Sequence, residues 1–270
     1  MSLNMDIAIL DKTWQAEITT CQVCAFLGRY SAVLFQSGST CIRLEKNVTR
    51  IAETFGRKIE FTVLPRHIHL TVRGPEPGDV ATEIVTIGPG PISFELNTEL
   101  SKLSWDIADG KLSFAEAEAE FDRLVTTKTP DIFNLPFIVA CANAAFCRLF
   151  DGDMVARAVV FVAVYVGYIV KIWLSRLEVD YRLTVICCAF VSTLLTGMSV
   201  LLNLGSTPGV AVATGVLYLV PGIPYINSFS DMLDRHYICA FGRLMKALVL
   251  TACLSIGIGL GVMVLRIPMF

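Results

Sequence analysis

In the run LVPGIPYINSFSDML, two prolines, an asparagine and an aspartate interrupt an otherwise apolar stretch: Pro221, Pro224, Asn227 and Asp231. Proline has no backbone N–H, so Pro221 cannot donate to the carbonyl of Leu217, nor Pro224 to that of Val220. Two backbone acceptors are freed. If a helix resumes at Ile223 or Pro224, just past Gly222, its first turn offers N–H groups and a partial positive charge, a place for a carboxylate. Asn227 and Asp231 lie four apart on the face that Pro224 shares, adding a hydrogen-bonding group and an ionisable one. Such a set holds and passes a small anionic solute. The bland alternative is a kinked helix with Asp231 at its surface end.

The surroundings decide what that break means. The chain has 270 residues, is 54% hydrophobic and has a mean hydropathy of +0.62, which points to a membrane protein. Of its 46 charged residues, 31 fall within residues 1–133, so the chain reads as two parts. Five apolar segments in the second part approach the roughly 20 residues of a membrane span: about 134–150, 155–175, 183–203, 208–230 and 238–265. Counting about 1.5 Å per residue from Gly209, Val220 falls about 16 Å in, near the middle of a hydrocarbon core of about 30 Å. Broken backbone at that depth is tolerated only against protein or a hydrated cavity, and is typical of secondary transporters. By the same count Asp231 lies about 33 Å along, near the far boundary.

An odd number of spans puts the termini on opposite sides. With the N-terminus in the cytoplasm, the inner connections carry Lys171, Arg176, Arg182, Arg235, Arg243 and Lys246, and the outer ones chiefly Arg157 and Arg266. Asn143 sits within the first span, and Arg148 and Arg157 flank the acidic turn DGD. Together with Arg243, these arginines are candidates to pair a second carboxylate of the solute. Gly257 and Gly261 form a G-x-x-x-G pattern read as close helix packing.

Residues 1–133 read as a cytoplasmic α+β domain. Apolar spacing predicts a helix from Asp11 to about Phe35, including Trp14, and a second from Cys41 to Phe55 with Ser39 and Thr40 as caps and Gly56 as its stop. KIEFTVLP, HIHLTVRG and ATEIVTIG alternate as strands. Two further helices follow, with Gly110 as a stop and Ser113 with Glu116 as a capping box. Cys21 and Cys24 sit on a helix without a second pair and read as core packing; His67 and His69 read as the polar face of a strand. No metal and no cofactor are expected. A P-loop and a basic nucleic-acid surface are both lacking, and no nucleophile–base pairing suggests an enzyme.

The segments SGSTCIRLEKNVTRIAETFG, VLPRHIHLTV, LNTELSKLSWDIADGKLSFAEAEAEFDRL, LFDGD and above all LVPGIPYINSFSDMLDRHY together resemble the threonine/serine exporter family. The likeness is to its N-terminal component in the short, separately encoded form, and covers nearly the whole chain. The first segment is similar to the family's G-x-x-T-x-R-x-E pattern, with Gly38 displaced and Thr40, Arg43 and Glu45 kept. Asp151 and Gly152 stand where the family often has Gly-Gly, and His67 and His69 where small polar residues are usual.

The resemblance implies export of small carboxylate-bearing metabolites, threonine and serine or a C4-dicarboxylate such as succinate, driven by the proton motive force. It also implies a bacterial inner membrane with its lipid and a hetero-oligomer with a second small multi-pass subunit. A membrane sensor or scaffold whose cytoplasmic domain binds a ligand or protein is the competing reading.

Overall fold

The computed structural model describes residues 18–88, 90–127 and 134–267, and these are mostly helical with one small sheet. The expected helix start at Asp11, with Trp14, lies outside the described residues. The chain forms two compact units. The first joins the N-terminal region up to Thr129 to Tyr225–Leu244, and the second comprises Pro130–Pro224 and Met245–Phe270.

In the first unit, α1 (Thr20–Gln36) begins at a capping box in which Thr19 and Gln22 satisfy each other's backbone N–H groups. Helix α2 (Cys41–Thr54) runs into Gly56 at φ +66°, the left-handed stop expected there. Strands β1 (Lys58–Val63), β2 (His67–Arg73) and β3 (Val80–Thr86) pair antiparallel in the order β1-β2-β3. The register sets Val63 opposite Ile68 and Ile68 opposite Val85. Period-two alternation buries Ile68, Leu70 and Val72 and leaves His67 and His69 exposed on the other face.

Two more helices, α3 (Phe94–Ala108) and α4 (Phe114–Thr126), complete this unit, the latter opened by the expected Ser113–Glu116 capping box. The core joins Phe26, Leu27, Tyr30 and Leu34 of α1 to Leu44, Val48 and Ile51 of α2, the buried strand face, and Leu100 and Ile107 of α3. Each such side chain contributes about 1.5–3 kcal/mol on burial. Phe26 meets Phe114 and Phe121 edge-on at 5.7 and 5.8 Å, closing α4 over α1. Cys24 belongs to this core, its thiol donating to Ala81 O at 3.6 Å, while Cys21 faces outward.

The remaining helices are α5 (Leu135–Leu149), α6 (Met154–Arg176), α7 (Tyr181–Leu201), α8 (Pro208–Thr214), α9 (Gly222–Leu233) and α10 (Tyr237–Leu265), with a 3-10 turn at Leu217–Leu219. Among the described residues, α6, α7 and α10 are long and apolar enough to cross a membrane, and Pro208–Leu219 with Gly222–Leu233 passes as a pair. Helix α5 is apolar but has only 15 residues. Among the described residues there are therefore three to four candidate spans, where the sequence suggested five.

Within the second unit, Gly257 and Gly261 of α10 sit against α7. A Cβ on Gly257 would lie 2.5 Å from Ile186 O and 2.7 Å from Ala189 Cβ, and one on Gly261 2.8 Å from Thr193 Cβ. The small-residue pattern is thus a packing seam, as expected.

The break in the proline run is also present. The chain passes through the 3-10 turn, becomes extended at Val220 (φ −63°, ψ 126°) and resumes as a helix at Gly222, one residue earlier than Ile223. The two carbonyls expected to be free are in use: Leu217 O accepts from Val220 N at 3.1 Å, and Val220 O from Gly222 N at 2.8 Å. The tightened turn supplies donors that the prolines cannot.

Candidate functional site

The site is built around the turn between α1 and α2, the segment Ser37–Thr40. Gly38 holds φ +98°, and a Cβ there would come within 2.7 Å of Ile92 Cγ2, so the position requires glycine twice over. The turn exposes the carbonyls of Gly38 and Ser39 and the first N–H of α2. Thr40 occupies the expected N-cap position with extended φ and ψ, yet its side chain makes no cap bond.

The missing cap is Asp231, whose Oδ1 accepts the Cys41 N–H at 2.8 Å. A carboxylate at a helix N-terminus satisfies an otherwise orphaned donor and faces the positive end of the dipole. One turn earlier on α9, Asn227 Nδ2 donates to Gly38 O at 2.8 Å. From α10, Arg243 donates to Ser39 O at 2.6 Å and sets its Nε 3.2 Å from Asp231 Oδ2, with its guanidinium over the Phe35 ring at 4.4 Å. Three polar side chains of the α9–α10 hairpin therefore read three backbone groups of one turn.

The hairpin is itself rigidly connected. Arg235 adopts φ +67°, His236 N donates to Asp231 O at 2.8 Å, and Ser228 Oγ donates to Ala240 O at 2.7 Å. Asp231 is fully buried and the Arg243 side chain 13% exposed. A charge pair removed from water to this degree is held by its surrounding hydrogen bonds as much as by Coulomb attraction. Beside it lie Cys41 and Cys239, both buried. Its hydrogen bond with Cys239, and then burial, push the Cys41 thiol well above the usual range.

Next to this cluster, a cavity of about 580 Å³ is lined by Glu45, Thr49, the edge strand β1 and the residues Arg235–Cys239. His236 Nε2 stands 3.5 Å from Glu45 Oε2 at its wall.

Of the residues singled out in the sequence, the structure brings together Asn227, Asp231 and Arg243, with Thr40 in the turn that they clasp and Glu45 at the cavity. Arg43 points elsewhere, donating to Asn97 Oδ1 at 2.8 Å to tie α2 to α3. Leu217, Val220, Pro221, Gly222 and Pro224 form the helix break described above.

The other candidates are engaged locally. Asn143 Nδ2 donates back to Val139 O at 2.9 Å, Arg148 lies 3.7 Å from Asp151, and Arg157 Nε donates to Asp153 O at 3.2 Å. Sequence reasoning missed the backbone of Gly38 and Ser39, and the pair Cys41 and Cys239. The available signal was Arg243, a cation inside an apolar helix that demanded a partner.

The family model described as "Putative threonine/serine exporter" matches residues 25–265. A relative from Klebsiella aerogenes, "Probable succinate transporter subunit YjjP", is 27% identical over 251 residues, covering 92% of this chain and 94% of its own. The protein of the same name from Escherichia coli (strain K12) is 24% identical over 227 residues, covering 83% and 88%. No solved structure matches.

Proposed function

The chain belongs to the threonine/serine exporter family, a family of membrane transport proteins and not of enzymes, and from that premise we propose that it is one subunit of a secondary exporter of small carboxylate-bearing metabolites. Its substrate is threonine, serine or a C4-dicarboxylate such as succinate; the two relatives named as succinate transporter subunits support the dicarboxylate arm. It works in the bacterial inner membrane with a second small multi-pass subunit, its N-terminus in the cytoplasm. In this reading the chain divides into a cytoplasmic domain over residues 1–133 and five spans over 134–270.

The observation that carries the reading is the buried Asp231–Arg243 pair clasping the Gly38–Cys41 turn. An ionisable carboxylate this deep is costly unless its charge is used. Protonation of Asp231 removes its attraction for Arg243 and weakens its hold on the Cys41 N–H, so proton arrival loosens the hairpin from the turn. Separately, the helix start at Gly222, after the break at Leu217–Pro221, offers a partial positive charge to a solute carboxylate.

The test is transport by everted vesicles containing this chain and its partner subunit, supplied with labelled succinate, threonine and serine under an imposed proton gradient. Gradient-dependent accumulation of one of them, abolished by a protonophore and by Asp231→Asn, is the expected result. Failure to move all three with both subunits assembled overturns the exporter reading; transport indifferent to the protonophore overturns proton coupling. If changes in residues 18–127 abolish function while Asp231→Asn leaves it untouched, the sensor reading takes its place.

A further inference from the structure

We propose that Cys41, Cys239 and Asp231 form a binding site for a zinc-class divalent cation within the first unit. One ligand atom from each, two thiol sulfurs and a carboxylate oxygen, lies within 4.8 Å of the others, and all three residues are buried. Two thiolates with a carboxylate are a borderline-soft set suited to Zn²⁺, and three protein ligands leave a position for water.

A second observation is independent of that proximity. Asp231 Oδ2 is fully buried and accepts no hydrogen bond, with Arg243 Nε as its charge partner at 3.2 Å. Ser39 Oγ, in the turn that Arg243 clasps, is likewise buried without a partner. Buried acceptors that receive no hydrogen bond are costly, and two of them lie here. The carboxylate is already fixed by the Cys41 N–H on its other oxygen, as ligating carboxylates generally are.

Charge favours the same occupant. On binding, the two thiols release their protons to solvent; two thiolates and one carboxylate then bring three negative charges, and Arg243 with a divalent cation brings three positive ones, so the loaded cluster is neutral. Cys239 also lines the cavity of about 580 Å³, whose wall carries Glu45 and His236. A bound ion would join α2 to the α9–α10 hairpin through Cys41 on one side and Asp231 and Cys239 on the other. This inference does not rest on the transport reading, and its test involves no transport.

The full-length chain, purified in detergent and reduced, is titrated with Co²⁺. The expected result is a sulfur-to-cobalt charge-transfer band in the near ultraviolet that saturates at one ion per chain and is bleached by Zn²⁺. Cys41→Ser and Cys239→Ser each weaken binding by about tenfold or more, whereas Cys239→Asp retains the ion with roughly half the band intensity, since one thiolate remains.

Because a core variant can misfold, the unmodified chain supplies a second readout. Zinc slows alkylation of Cys41 and Cys239, mapped by mass spectrometry, and leaves the exposed Cys21 unaffected. The proposal is overturned if the reduced chain gives no such band, if the band survives in the Cys41→Ser/Cys239→Ser double variant, or if zinc changes alkylation of neither cysteine.

Discussion

Asp231 Oδ1 caps the backbone N–H of Cys41 at 2.8 Å, across 190 positions of sequence, and so performs for α2 the task its own Thr40 leaves undone. The bond makes two separate family segments into one structural object. SGSTCIR supplies the backbone groups, and NSFSD with Arg243 supplies the side chains that read them.

Removing the acid should expose the cost of that arrangement. Asp231→Ala leaves Arg243 buried without its partner and is expected to destabilise the protein by about 3–5 kcal/mol. Asp231→Asn, which keeps an acceptor for Cys41, should cost less. Thermal unfolding in detergent, followed by the near-ultraviolet signal of the first unit, ranks the two; equal effects would mean that the charge pair and not the cap matters.

At Asn227 the loss is a single neutral hydrogen bond. Asn227→Ala should cost about 1 kcal/mol, with the Gly38 carbonyl left to find water. Gly38→Ala should cost more, because alanine must adopt φ +98° and meet Ile92. Denaturant midpoints at constant slope test the order.

The packing of α10 on α7 offers an internal control. Gly257→Ala places a methyl against Ile186 O and Ala189, whereas Gly259→Ala on the same helix meets nothing within 4 Å. The first is expected to lower the melting temperature and the second to leave it unchanged or raise it slightly.

Acid response should be traceable in part to Asp153. This N-cap of α6 accepts from Ala156 N at 2.7 Å and Ser206 N at 2.6 Å, and these N–H groups, that of Ala156 foremost, hold its carboxyl down to about 2. A depressed carboxyl stabilises the fold above its ordinary value of about 4, and that contribution is lost as pH falls toward about 2. Asp153→Asn should therefore reduce stability at neutral pH and flatten its decline between those values. Melting temperatures across that window check it.

Short-range rules explain what was legible beforehand. The Ser113–Glu116 capping box, the stops at Gly56 and Gly110, the alternation that turns His67 and His69 outward, and the break at Pro221 each depend on neighbours a few residues away. The same locality explains one misreading. Removing two proline donors leaves Leu217 O and Val220 O free only if the chain stays on the helical path, but it tightens into turns that fill both acceptors.

Residue type and spacing by themselves determined that Asn227, Asp231 and Arg243 needed polar partners, since such groups are expensive in an apolar run. They could not determine which partners. Gly38 O, Ser39 O and the Cys41 N–H belong to every backbone alike and carry no compositional mark. Only the tertiary structure, folding the α9–α10 hairpin onto a turn 189 to 204 positions away, made them the ones that pair with it.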